Sequence, residues 1–110
     1  MNVTADKFIG GRVIVRQMES GFRSGLDAVM LAASIPAGPG QEVLELGAGA
    51  GAASLCLARR ANCSVFGIEI DPELVILADE NAAENDLSER VRFASGDALH
   101  LPPELRRAFE

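Results

Sequence analysis

The sequence predicts an α/β domain: a parallel sheet with flanking helices, preceded by a β-hairpin and a further helix. Three observations predict it. From residue 42 onward, short apolar runs alternate with helical patterns. A glycine-rich turn, "GAGAGA" at residues 47–52, joins the first run to the first of these helices. An Asp-Pro pair, Asp71-Pro72, opens the next helix. Strands that alternate with helices imply right-handed βαβ crossovers, and hence strands running parallel.

Taken in order, residues 3–9 and 12–18 are β-rich runs separated by Gly10-Gly11. Two glycines between such runs predict a hairpin with a two-residue turn. Leu26, Val29, Met30 and Ala33 then recur at helical spacing, with Ser24 placed to cap that helix. "PAGPG", residues 36–40, stops it and divides the chain into an N-terminal hairpin-and-helix appendage, 1–40, and a βαβαβ unit, 41–110. Residues 42–46 read as a buried strand and 50–60 as a helix, with Arg59 and Arg60 near the end where cations suit its dipole. Residues 65–70 are the second strand. Asp71 caps the following helix and Pro72 fits its first turn; Leu74, Leu77, Ala78 and Ala82 form its apolar face. Residues 90–94 close the unit, with Val91 and Phe93 turned inward and Arg90 and Arg92 outward.

Composition narrows the function. The chain has 110 residues, 48% of them hydrophobic, with five Phe and no Trp or Tyr, so its core is aliphatic. The formal net charge is −6, which argues against a nucleic-acid module working by charge alone. Residues 1–40 carry four basic and three acidic side chains, against six and thirteen in residues 41–110, so an anionic partner better suits the N-terminal part. Cys56 and Cys63 form no CxxC, and His100 is the single histidine. That excludes an ordinary zinc site and suggests two reduced, buried thiols. No stretch resembles a signal peptide, and the apolar run "LDAVMLAASIPA" is too short to span a bilayer, so the expectation is a soluble cytoplasmic protein.

The glycine turn lies where open α/β sheets bind ligands, at the carboxyl ends of their strands. Gly47, Gly49 and Ala52 fit a loose dinucleotide pattern, in which the helix N-terminus would hold a pyrophosphate. Glu45, two residues before Gly47, opposes two anionic phosphates. It suits S-adenosylmethionine, which has no phosphate and carries a sulfonium and an ammonium. Glu69 ends the second strand 22 residues after Gly47, where a carboxylate can accept both hydroxyls of a ribose. Asp97, after Gly96 at the third strand's tip, is either an ordinary Gly-Asp turn or an acceptor for an adenine amino group. Asp71 could reach the same pocket, but its capping role suffices.

With "ELGAGAG", "GIEIDP" and "GDAL" at its three strand tips, the chain resembles a class I S-adenosylmethionine-dependent methyltransferase. The upstream block "GGRVIVRQMESGFRSGLDAVMLAASIPAGPG", with "AENDL" in the later helix, resembles the bacterial methyltransferases that modify an adenine amino group in valine tRNA. The resemblance implies a partial class I methyltransferase fold, Rossmann-like, with S-adenosylmethionine as cofactor and tRNA as partner. It implies that Glu45, Gly47 and Gly49 line the methionine end, that Glu69 holds the ribose and Asp97 the adenine. Ala48, Ile70 and Ala98, within the same motifs, complete the implied cofactor site. Arg23, Ser24 and Asp27 match an upstream segment that touches the cofactor's methionine part in related enzymes. Ser24 and Asp27 equally fit a capping box, and Arg23 equally fits a solvated side chain or a contact to RNA phosphate.

In that family the fourth strand begins Phe-Asp and ends Asn-Pro-Pro-Tyr or Asn-Pro-Pro-Phe, the motif that holds the target amine. This sequence has no Asn-Pro-Pro and stops at "RRAFE". The expectation is therefore the cofactor half of an RNA adenine methyltransferase, with little catalysis by these residues alone. Strand 42–46 would keep one unpaired edge, an invitation to dimerise. Two alternatives stand beside it: an NAD-binding domain, and a non-catalytic interaction module of methyltransferase descent.

Overall fold

Each hydrophobic run after residue 40 becomes an element of the expected kind. The computed structural model describes residues 3–18, 38–97 and 100. Arg23, Ser24, Asp27 and Ala98, and the expected helix around residues 26–33, lie outside the described residues. Strands β1 (Val3–Phe8) and β2 (Val13–Met18) pair antiparallel. A second sheet holds β3 (Glu42–Leu46), β4 (Ser64–Glu69) and β5 (Val91–Ser95), all parallel, in the order β3-β4-β5. Helix α1 (Ala52–Ala61) connects β3 to β4, and α2 (Pro72–Glu84) connects β4 to β5. Among the described residues no helix is long and apolar enough to cross a membrane.

The hairpin turn is longer than Gly10-Gly11 alone. Phe8 pairs with Val13, leaving residues 9–12 as a four-residue loop. Ile9, Gly10 and Gly11 all have positive φ, and Gly11 N–H donates to the Phe8 carbonyl at 3.1 Å. Alternation along β2 buries Val13, Val15 and Gln17 and exposes Ile14 and Arg16. Val13 and Val15 share one core with Leu55 and Ala58 of α1, Ala78 of α2 and Val91 of β5.

Helix ends follow local chemistry. Gly51, at φ 93°, stays outside α1, so the helix starts two residues later than its apolar pattern suggests. Asn62, also left-handed, ends it. Asp71 accepts a hydrogen bond from the Glu73 N–H at 2.9 Å and Pro72 follows as the first helical residue, as the sequence predicts.

Three further sequence expectations need correction. Arg90 does not point outward: it precedes β5, and its guanidinium donates to the carbonyls of Ala58 (3.0 Å) and Cys63 (3.3 Å), closing the end of α1. The buried face of α2 is Leu77, Ala78, Asn81 and Ala82, one polar residue among three apolar ones, with Leu74 only half-buried. Strand β3 is half-buried rather than buried, because among the described residues it has a neighbour on one side only. Cys56 and Cys63 are buried free thiols, and burial pushes the Cys56 thiol up to about 11.

Candidate functional site

Strands β3 and β4 end side by side, with Leu46 opposite Ile68. The glycine turn leaves β3 there and is pinned at once to its neighbour: the N–H groups of Gly47 and Ala48 both donate to the Ile68 carbonyl, at 2.8 and 3.0 Å. Gly49, at φ 58°, turns its N–H onto Glu69 Oε1 at 2.8 Å. The other oxygen, Oε2, accepts from the Asp71 N–H at 3.0 Å. Glu69 therefore ties two loops together with one backbone donor on each oxygen. An ionised carboxylate has about four lone-pair positions, so each oxygen retains capacity for one more donor, as a ribose diol would supply. The third tip joins through Gly96, whose N–H donates to the Glu69 carbonyl at 3.0 Å.

Among the described residues the upper surface of the turn is open: a Cβ placed on Gly47 or Gly49 would meet none of their atoms within 4 Å, so a ligand can approach the backbone there. The underside is tightly filled by Phe93. A Cβ on Gly51 would lie 2.8 Å from its ring, and one on Gly67 would lie 2.5 Å from it and 2.8 Å from Ala48 Cβ. Ala48 is buried and so shapes the turn from below. Leu46 (49% exposed) and Ile70 (68% exposed) stand at the two strand tips, with Ile70 directly after Glu69.

Glu45 lies opposite Gly67 in the sheet and accepts a hydrogen bond from Ser54 Oγ, the third residue of α1. Burial raises its carboxyl above the usual 4.5, and hydrogen bonds from the Ser54 side chain and backbone oppose that rise. The N-terminus of α1 thus already has an acidic partner. That removes much of the attraction a pyrophosphate would find there. Asp97 meets His100 through Oδ2 and Nδ1 at 3.0 Å, and its carbonyl accepts the His100 N–H at 2.9 Å. It therefore serves a local turn at the third tip as well. Of the residues singled out from sequence, the structure brings Glu45, Gly47, Ala48, Gly49, Glu69, Ile70 and Asp97 to one end of the sheet.

Sequence reasoning missed Ser54 and Asn81, and it turned Phe93 inward without showing that its ring fills the underside of the turn. Asn81 is fully buried and its amide reaches both β2 and the glycine turn, donating to Ala50 O at 2.8 Å. Its one signal was a polar side chain inside an apolar helical stripe. Among the described residues no group of three or more His, Cys, Asp or Glu converges on a metal position.

A methyltransferase domain family matches residues 43–109, more than half of the chain and the whole of this site. The chain belongs to that family. It is similar to the tRNA1(Val) (adenine(37)-N6)-methyltransferase of an Enterobacter species, at 31% identity over 101 residues, covering 90% of this chain and 41% of the relative. The enzyme of the same name from Porphyromonas gingivalis is 40% identical over 99 residues, covering 86% of this chain and 39% of the relative. A solved S-adenosylmethionine-dependent methyltransferase from Geobacter sulfurreducens, in complex with S-adenosyl-L-homocysteine, superposes with a TM-score of 0.61 at 31% identity, covering 68% of this chain and 30% of that one. The chain thus spans about two fifths of the length of these curated relatives. Its fold is the Rossmann-like α/β fold of the class I, S-adenosylmethionine-dependent methyltransferases.

Proposed function

We propose that residues 41–110 are the S-adenosylmethionine-binding half of a cytoplasmic methyltransferase that acts on an adenine amino group in tRNA, with residues 1–40 as its appendage. The observation that carries this reading is Glu69, a carboxylate fixed by the N–H groups of Gly49 and Asp71 at the meeting point of two strand tips. It holds the two ribose hydroxyls. The methionine end of the cofactor lies over Gly47 and Gly49, near Glu45, with Arg23, Ser24 and Asp27 completing that end. Asp97 receives the adenine amino group, and Ile70 and Ala98 flank the base. The cationic sulfonium favours an acidic neighbour, which a dinucleotide's phosphates would not.

When bound, the cofactor would supply an electrophilic methyl group for transfer to an amine nitrogen. The chain's own residues bind and orient that donor. The sequence contains no Asn-Pro-Pro, so nothing in it matches the group that aligns the amine lone pair in related enzymes. Alignment supplies much of the rate in such a transfer, so these 110 residues alone bind cofactor without efficient catalysis. The tRNA acceptor is supported by the names of the relatives. Strand β3, with a neighbour on one side only among the described residues, favours pairing with a second copy. Calorimetry with S-adenosylhomocysteine tests the central statement: a folded chain gives saturable binding that NAD does not compete away, and absence of binding by folded protein overturns it.

A further inference from the structure

We infer that the N-terminal hairpin sets the shape of the glycine turn through Asn81, so that this buried amide is a positioning residue for cofactor binding. The inference rests on the reading of that turn as the cofactor loop. Strand β2 has one edge on β1, and its other edge faces α2, where among the described residues no strand supplies partners. Two asparagines one helical turn apart take that place. Asn85 Oδ1 accepts from Ile14 N–H at 2.9 Å, and its Nδ2 donates to Ile14 O at 2.6 Å. Asn81 Oδ1 accepts from Arg16 N–H at 2.8 Å, and its Nδ2 donates to Arg16 O at 3.0 Å. The spacings match: four residues of helix rise about 6 Å, and two residues of strand about 6.7 Å. Each primary amide thus acts as one residue of a missing strand.

The two amides differ in their last hydrogen bond. Asn85 spends its second N–H on Asn81 O, within its own helix, at 2.7 Å. Asn81 spends its second N–H on Ala50 O at 2.8 Å, inside the glycine turn. That carbonyl precedes Gly51, whose φ of 93° depends on how the intervening peptide plane is turned. On the other side of Ala50 stands Gly49, whose N–H holds Glu69. A continuous path therefore runs from Arg16 through Asn81, Ala50 and Gly49 to the carboxylate assigned to the ribose. The amide orientation is fixed by its surroundings, because a flipped Asn81 would set its oxygen against the carbonyls of Arg16 and Ala50.

The control is built into the helix. Asn81→Ala releases Arg16 of the hairpin and the turn, whereas Asn85→Ala releases Ile14 of the hairpin and a carbonyl of its own helix but leaves the hydrogen bond to the turn in place. Affinity for S-adenosylhomocysteine falls about tenfold in Asn81→Ala, as expected for a buried carbonyl left without its donor, and stays within about twofold in Asn85→Ala. Amide NMR signals of Gly49 and Gly51 shift in the first variant and not in the second. Equal losses in the two variants, or an unmoved Gly49 signal in Asn81→Ala, overturn the inference. Should Asn81→Ala not fold, reciprocity provides the test in the unaltered chain: cofactor binding must slow hydrogen exchange at Arg16 N–H more than at Ile14 N–H. Equal slowing overturns it. Failure of the unaltered chain to bind S-adenosylhomocysteine overturns the functional reading itself, and the inference with it.

Discussion

At the scale of single residues, two carboxylates carry separable predictions. Glu69 holds loop backbone with both oxygens, so its removal both loosens the turn and deletes the proposed ribose acceptor. A double-mutant cycle separates these effects. Glu69→Ala lowers S-adenosylhomocysteine affinity about tenfold or more, and an analogue lacking the ribose 2′-hydroxyl loses affinity for the unaltered chain but not for Glu69→Ala. An equal penalty for the analogue in both proteins would remove Glu69 from the ribose role. Glu45 gives a pH signature. Burial raises its pKa in the folded protein, so folding holds this proton and stability declines as pH rises through the window just above 4.5; Glu45→Gln flattens that slope in thermal melts. Cofactor binding runs the other way. A sulfonium favours the ionised carboxylate, so S-adenosylmethionine affinity rises with pH across the same window, while S-adenosylhomocysteine, which has no sulfonium, rises less. Calorimetry at several pH values checks this, and parallel curves for the two ligands would show that Glu45 does not sense the sulfonium.

At the scale of elements, the structure depends on close approaches that a one-dimensional pattern encodes unevenly. Strand and helix periodicities in residues 42–95 are strong, and each marks an element of the right kind. The glycine turn and Glu69 were legible because their spacing along the chain is itself the geometry. Asn81 was not: helical spacing sets it in the buried stripe beside Leu77, Ala78 and Ala82 but cannot name its partners, Arg16 and Ala50, which are 65 and 31 positions away. Arg90 was misjudged for the same reason, since its acceptors lie at the end of another element. Gly67 also looked like an ordinary strand residue. Its missing side chain is what admits the Phe93 ring between β4, β5 and the underside of the turn. Gly67→Ala would force that ring or Ala48 to move, costing about 1–3 kcal/mol by overpacking. Chemical denaturation should show a lower midpoint with an unchanged slope. A midpoint equal to the unaltered chain would mean that Phe93 yields without cost.

At the scale of the whole molecule, the sheet is asymmetric. One face of β4 and β5 is sealed by α1 and α2, and the hairpin joins the same core through Val13 and Val15. The outer edge of β3 has no strand beside it among the described residues, and its side chains are half-buried or exposed. Unpaired edges of apolar character recruit other strands, and a charge on the strand blocks them. Sedimentation of the chain over rising concentration should reveal a dimer that Leu44→Lys suppresses; a monomer throughout would leave the edge without that role. The same asymmetry separates binding from chemistry. The proposed donor site lies at the carboxyl tips of β3, β4 and β5, whereas the sequence offers no Asn-Pro-Pro to align an acceptor nitrogen. With labelled S-adenosylmethionine and tRNA, the 110-residue chain should bind donor yet transfer no methyl group above the uncatalysed background. Transfer at enzymatic rates would mean that a group among these residues orients the amine, and would relocate the acceptor site into the part of the molecule described as the donor half.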